Sequence, residues 1–134
     1  MLMRPMLTRR PTQRLARRLE SGELHVCVQR SPNGVGVHIT LHGEWDIGTT
    51  GQVRAALTAV RSQGPTEVVV DLRGLTFIDV TGLVVLLELD AERERHGGTL
   101  TLIRGNAHVH RLFELAGVSD RLRLVGAPLS ELLH

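Results

Sequence analysis

The apolar residues of this chain switch from a spacing of two to a helical spacing, and that switch constrains the fold more than any other feature. Apolar and polar residues alternate over Leu24–Val28 and over Val35–Leu41, on either side of Pro32-Asn33-Gly34. Such runs predict a β-hairpin with one buried face. From Val53 to Val60 the apolar residues recur at i, i+3, i+4 and i+7, which predicts an amphipathic helix. The continuous run Val68–Val70 is typical of a central strand covered on both faces.

The second half of the chain continues this alternation of strands and helices. The pattern predicts a helix from Val80 to His96, a strand at Thr99–Ile103, a helix that begins after Asn106, and a short strand at Arg121–Val125. This order predicts an α/β fold with right-handed crossovers. In that fold a mixed β-sheet of about four to five strands packs against about three to four α-helices.

Charge divides the chain into two parts. Residues 1–20 contain six arginines and one acidic residue, Glu20, whereas residues 21–134 contain ten arginines and thirteen acidic residues. We interpret residues 1–20 as a basic, flexible N-terminal tail and residues 21–134 as one folded domain. The arginines leave open a contact of the tail with nucleic acid or with a membrane surface.

Composition narrows the class of protein further. The sequence has neither an apolar run long enough to span a membrane nor the apolar core of a secretory signal, so a cytoplasmic protein is predicted. The lone Cys27 fits a reducing compartment. Aromatic residues make up only 2% of the chain, which argues against direct stacking on nucleic-acid bases.

The segment around Asp79 carries most of the functional information. Asp79 is predicted to cap the second helix, because its carboxylate can accept hydrogen bonds from the amides of Thr81 and Gly82. A glycine in the first helical turn lowers helix stability by about 1 kcal/mol relative to alanine. Gly82 therefore indicates a close backbone approach, either by a neighbouring loop or by a partner.

The same helix has more apolar residues than one buried stripe requires. The residues expected to face the core are Val80, Leu83, Val84, Leu87 and Ala91. The apolar residues left over, which either pack deeper in the domain or form a patch for a partner, are Val85, Leu86 and Leu89.

Four motifs in order resemble a known family. The pattern Leu-x-x-Leu-x-Phe-x-Asp-x-x-Gly-Leu, which runs from Leu72 to Leu83, resembles the STAS motif of bacterial anti-sigma factor antagonists. Gly43-Glu44-Trp45-Asp46 resembles the family's turn after the second strand. Gly97–Leu100 resembles its exit from the second helix, and Arg111–Val118 resembles its third helix. The resemblance covers about residues 24–126 and implies the STAS fold.

The resemblance implies a partner-switching protein rather than an enzyme, and it implies no cofactor. A STAS antagonist binds an anti-sigma factor of the histidine-kinase-like ATPase fold, which releases a sigma factor for transcription. Phosphorylation of a serine or threonine directly after the motif aspartate ends that binding. The resemblance assigns the following residues to the partner-binding surface, with apolar contact supplied by the two leucines: Asp46, Asp79, Val80, Thr81, Gly82, Leu83 and Leu86.

Position 80 departs from the family pattern, because Val80 has no hydroxyl group to phosphorylate. Thr81 has one, but it lies one helical step of about 100° away. Three interpretations stay open: a constitutive antagonist, an antagonist phosphorylated on Thr81, or a STAS module of another system. The last would be a non-phosphorylated accessory or scaffold subunit of a lipid-transport or stressosome-type complex.

The remaining residues predict no catalytic site and no metal site. His108 and His110 are two apart on a predicted helix and point about 200° from each other, so they are not expected to chelate a metal ion. Cys27 has no evident partner base, and no glycine-rich phosphate loop follows a strand. Direct contact with nucleic acid is not expected of the folded domain, and a homodimer stays open.

Overall fold

The computed structural model describes residues 23–32, 34–62, 64 and 67–126. Its strands are β1 (Leu24–Arg30), β2 (Gly36–Trp45), β3 (Glu67–Ile78), β4 (Thr99–Ile103) and β5 (Leu124–Val125). Its helices are α1 (Thr50–Arg61), α2 (Val80–Arg95) and α3 (Ala107–Leu115). The predicted flexible tail of residues 1–20 lies outside the described residues.

The strands form one mixed sheet in the order β1-β2-β3-β4-β5. β1 and β2 pair antiparallel as a hairpin, and all other neighbouring strands pair parallel. Each helix therefore connects two adjacent parallel strands. The predicted mixed α/β architecture is confirmed, with five strands and three helices among the described residues.

β2 shows how the sequence pattern builds the core. Its side chains at Val37, Ile39, Leu41 and Trp45 are buried, whereas those at His38, Thr40 and His42 are half-buried or exposed. The buried face packs into one cluster with α1, α2 and α3. Full burial of such an apolar side chain stabilises the fold by about 1.5–3 kcal/mol.

The last strand is shorter than predicted. Only Leu124 and Val125 pair with β4, through Leu102 and Ile103. Arg121 was expected in the strand, but its amide donates to the carbonyl of Val118 at 3.0 Å and so closes a turn after α3. A residue whose amide is used in a turn cannot also donate it to the sheet.

β3 is longer than predicted and contains two irregularities that position its end. Thr40 pairs with Asp71 but His42 pairs with Gly74, and a second shift follows between Gly43 and Glu44. Each shift adds one residue to β3, as in a β-bulge. The alternation of buried residues is broken there, which is why the sequence indicated only a short strand. The result is that β2 and β3 end side by side.

Gly82 is required by packing within the domain. A Cβ atom at this position would lie 2.7 Å from Ile78 Cγ1 and 2.9 Å from Trp45 Cδ2. Of the two explanations left open for Gly82, the close approach within the domain is therefore the one that the structure supports. Gly82 lets the first turn of α2 press directly on the ends of β2 and β3.

Replacing Gly82 with alanine should destabilise the domain. Alanine favours the helix by about 1 kcal/mol, but forcing a methyl group into a packed site costs about 1–3 kcal/mol. Gly51 in α1 is the matched control, because a Cβ atom there would meet nothing within 4 Å. We expect urea denaturation to show a loss of stability for Gly82→Ala and a gain of about 0.5–1 kcal/mol for Gly51→Ala. A stabilised Gly82→Ala protein would contradict this account of the packing.

Asp71 is a buried carboxylate in the middle of β3. Arg73 holds it through Nε at 3.0 Å and Nη2 at 2.7 Å, and His38 Nε2 lies 3.8 Å away. Burial alone would raise the pKa of Asp71, but the hydrogen bonds and charge of Arg73, with a smaller contribution from His38, hold the pKa below its ordinary value of 3.8. This side chain therefore stabilises the fold as an anion.

The lowered pKa of Asp71 predicts a loss of stability in acid. A carboxyl group whose pKa is lower in the folded state contributes stability above its unfolded pKa, and this contribution is lost as the pH falls through the folded pKa. The free energy of unfolding of the parent should therefore exceed that of Asp71→Asn at neutral pH. The difference should shrink below about pH 4. Urea denaturation of both proteins between about pH 3 and pH 7 measures it. A difference that does not change with pH would contradict the prediction.

Candidate functional site

Asp46 follows β2 directly and organises the turn into α1. Its Oδ1 accepts hydrogen bonds from the amides of Gly48 at 2.9 Å and Thr49 at 3.1 Å. The Thr49 hydroxyl in turn donates to the carbonyl of Glu44 at 2.9 Å. These bonds form a local turn of the kind that an aspartate side chain favours by accepting from backbone amides two and three residues further on.

Asp79 follows β3 directly and caps α2, as predicted. Its Oδ1 accepts hydrogen bonds from the amides of Thr81 at 2.9 Å and Gly82 at 3.4 Å, and from the hydroxyl of Thr81. The amide of Asp79 donates to the carbonyl of Trp45 at 3.1 Å. Because Trp45 and Ile78 are paired across the two strands, Asp46 and Asp79 come next to each other at the same level.

The two carboxylates use their oxygen atoms in the same way. In each, Oδ1 takes the hydrogen bonds that hold the local backbone. Within the part of the chain that the structure describes, Oδ2 of Asp46 and Oδ2 of Asp79 have no hydrogen bond or ion pair. Both side chains are half-buried. Each carboxylate is thus fixed by one oxygen and can accept from a partner with the other.

Apolar side chains are exposed at this same end of the sheet. Ile47 is 76% exposed, Phe77 48%, Val80 61% and Val84 42%. We call these residues, together with Asp46 and Asp79, the strand-end surface. Exposed apolar groups beside fixed carboxylates are suited to binding a protein partner.

The structure corrects the predicted faces of α2. Leu83 and Leu86 are only 4% and 1% exposed, so the assignment of surface contact to these two leucines is wrong. Val85 and Leu89 are also buried, whereas Val80 and Val84, expected to face the core, are exposed. The physical reason is the close contact of Gly82 with Trp45 and Ile78. Because the first turn of α2 packs against these two side chains at Gly82, the side of the helix that carries Leu86 and Leu89 faces the core.

Sequence reasoning missed three residues of the strand-end surface: Ile47, Phe77 and Val84. Ile47 could have been found, because an isoleucine between an aspartate and a glycine in a turn has no strand or helix face to occupy. Phe77 could not, because the irregular pairing of β3 hides which side of the strand it takes. The exposure of Val84 depends on the rotation of α2.

The other side chains weighed from the sequence are not brought into this site. His110 lies 3.5 Å from Glu114 on α3, and Cys27 is an exposed thiol on β1. Among the described residues, no group of three or more His, Cys, Asp or Glu side chains is placed to hold a metal ion. Likewise, none of the helices α1 to α3 is long and apolar enough to cross a membrane.

Known sequences resemble this chain over most of the described residues. A family model described as "Mlab, STAS domain" matches residues 28–126. The anti-sigma-B factor antagonist of Staphylococcus aureus (strain NCTC 8325 / PS 47) is 24% identical over 86 residues, which are 64% of this chain and 80% of that protein. The anti-sigma F factor antagonist of Lysinibacillus sphaericus is 31% identical over 83 residues, which are 61% of this chain and 71% of that protein.

Solved structures share the fold. An anti-sigma factor antagonist from Mycobacterium paratuberculosis has a TM-score of 0.68 and 20% identity, over 83% of this chain and 92% of that chain. The antagonist SpoIIAA in its unphosphorylated form has a TM-score of 0.69 and 24% identity, over 81% of this chain and 93% of that chain. The family match runs from β1 to beyond β5 and includes both strand ends. This chain therefore belongs to the STAS domain family.

Proposed function

We propose that this protein is a cytoplasmic anti-sigma factor antagonist, which binds a kinase-type anti-sigma factor through the strand-end surface and so releases a sigma factor. The observation that carries the proposal is the pairing of Asp46 and Asp79 at adjacent strand ends beside exposed apolar side chains, each with an Oδ2 that no other described residue contacts by a hydrogen bond or ion pair. A partner would place arginine or lysine on the two carboxylates and apolar groups on Ile47, Phe77 and Val80. The names of the relatives support the class of partner.

We also propose that phosphorylation does not end this binding. Val80 is exposed where a phosphorylated hydroxyl would be needed, and it has none. The Thr81 hydroxyl is half-buried and donates to Asp79 Oδ1, so it is engaged in the helix cap. These contacts favour the constitutive antagonist over an antagonist phosphorylated on Thr81.

Val80 also favours a second candidate function. A STAS subunit that holds a complex together has no need of a phosphoacceptor, so this chain would serve as an accessory or scaffold subunit of a lipid-transport or stressosome-type complex. The strand-end surface would then bind a permanent partner. Affinity capture from a native lysate, followed by mass spectrometry, separates the two: the first candidate requires an ATPase of the anti-sigma class, and the second a transporter or stressosome subunit.

A charged substitution at Ile47 tests whether the strand-end surface binds that partner. Ile47 is 76% exposed, so Ile47→Lys should leave the fold intact. It should weaken binding about tenfold or more, because it places a charge where apolar contact is expected. Leu115 is the matched control, since it is 73% exposed on α3, and Leu115→Lys should bind like the parent. Titration of each variant with the captured partner measures this. Equal affinity of the Ile47 variant and the parent would refute the assignment.

A further inference from the structure

The chain enters the domain at the strand-end surface. β1 runs antiparallel to β2, so its first residues pair with the last residues of β2. The amide of Glu44 donates to the carbonyl of Glu23 at 2.9 Å, and Leu24 pairs with Gly43. Residues 1–22 therefore join the domain at the edge where β2 and β3 end in Asp46 and Asp79.

The surface at this entry point is acidic as well as apolar. Glu23, Glu44, Asp46 and Asp79 lie at the same end of the three adjacent strands, and the Glu23 side chain is 89% exposed. Arg54, in the second turn of the adjoining α1, is already paired with Glu88 at 3.1 Å. The four carboxylates thus make this end of the sheet acidic.

The segment that precedes Glu23 has the complementary chemistry. Residues 1–22 contain six arginines and one acidic residue, Glu20. The part next to the domain, Arg14–Leu19, places Leu15 and Leu19 among three arginines. Such a stretch offers guanidinium groups for carboxylates and two apolar side chains for an apolar patch.

The segment is long enough to reach this surface. From Glu23 back to Arg17 an extended chain spans up to roughly 20 Å. β3 lies two strand spacings from β1, about 10 Å. Arg14, Arg17 and Arg18 can therefore contact Asp46 and Asp79 without strain on the chain. A tether this short also holds the arginines near the surface at a high effective concentration.

We propose that the arginine-rich segment of residues 1–22 docks reversibly on the strand-end surface of its own domain. Its arginines pair with Glu44, Asp46 and Asp79, and its leucines cover the exposed apolar side chains. The docking needs no partner. Its consequence rests on the proposed function: the segment occupies the surface that the anti-sigma factor would bind, so the two compete.

The absence of lysine from this sequence permits a direct test on the full chain. Arg17→Lys keeps the positive charge and introduces a single side-chain amine. A water-soluble carbodiimide then joins that amine to any carboxylate in contact with it, and mass spectrometry of the monomer locates the amide. We expect linkage to Glu44, Asp46 or Asp79, and a fall of at least about fivefold in about 1 M salt, where charges are screened within about 3 Å. Links to Glu20 and Glu23 are ignored, because these residues are close in sequence.

Arg121→Lys is the matched control, since Arg121 is exposed in the turn before β5, beyond β4 from this surface. It should give no link to the three acids. If Arg17→Lys also gives none, or links to exposed acids over the whole domain, docking is refuted.

A second experiment tests the competition between the segment and the partner. Replacing Arg14, Arg17 and Arg18 with glutamine should tighten the binding of a captured anti-sigma factor. Weaker binding would show that the segment contacts the partner, and it would contradict the proposed competition. Failure to capture an anti-sigma factor would count against the proposed function alone, because the cross-link requires no partner.

Discussion

Replacing Asp79 with lysine should abolish partner binding while the domain stays folded. The substitution removes a carboxylate of the proposed partner contact, which also caps α2 through Oδ1, and puts a positive charge beside Asp46. Breaking a charged contact of this kind costs about 2–5 kcal/mol, so affinity should fall about 30-fold or more. The lost helix cap costs only about 1 kcal/mol, which is small beside a stability of about 5–15 kcal/mol.

Two controls separate the effect of the charge on partner affinity from the effect of the lost helix cap on stability. Asparagine caps a helix about as well as aspartate, so Asp79→Asn should keep the parent's melting temperature and bind with intermediate affinity. Asp120→Lys makes the same change of charge at an exposed position after α3 and should bind like the parent. Titration calorimetry with the captured partner, together with thermal melts, measures both properties. A folded Asp79→Lys protein that binds as tightly as the parent would show that the strand-end surface is not the binding site.

Restoring a hydroxyl at position 80 should create a phosphorylation switch. Val80 is 61% exposed next to Asp79, so a serine there would be accessible to a kinase. Incubation with the cognate anti-sigma kinase and ATP should leave the parent protein unmodified at position 80, with little phosphate on Thr81. Val80→Ser should be modified efficiently. The phosphate adds a charge of about −1.5 to −2 beside Asp79 and Asp46, so the modified protein should lose affinity for its partner.

The control for the switch is unphosphorylated Val80→Ser, since the loss of exposed apolar contact alone is worth about 1 kcal/mol. Adding Thr81→Val to that protein removes the neighbouring hydroxyl while it keeps the backbone amide that Asp79 caps. Phosphopeptide mapping then assigns the site. Rapid, stoichiometric phosphorylation of Thr81 in the parent would contradict the proposal that this protein is a constitutive antagonist. No modification of Val80→Ser by any cognate kinase would favour the accessory-subunit function.

Local features of the fold were predictable because their signals are local. The hairpin follows from alternation around a turn, and α3 follows from Asn106, whose side chain accepts from the amide of Val109 at 2.9 Å. The cap of α2 by Asp79 was predicted down to its donor amides. Each of these depends on residues within a few positions of one another, where backbone geometry leaves few choices.

The faces of α2 were not predictable in this way. Its apolar residues surround most of the helix, so their spacing does not single out one buried stripe. Which side of α2 is buried depends on a residue distant in sequence, because Trp45 packs against Gly82 and the same side of the helix carries the buried Leu86. The spacing placed Leu83 in the core, where it lies, but it also placed Val84 there, which is exposed. The surface contact assigned to Leu83 and Leu86 came from the family resemblance.

By itself, the sequence determined the order of strands and helices, the two aspartates that follow β2 and β3, and the separation of a basic segment from an acidic domain. Only the tertiary structure decided that Asp46 and Asp79 stand side by side and that residues 1–22 enter beside them. The physical reason is strand pairing, which joins residues far apart in sequence. The two extra residues of β3 in its pairing with β2 bring the ends of the two strands side by side. The spacing of residues within either strand does not encode that register.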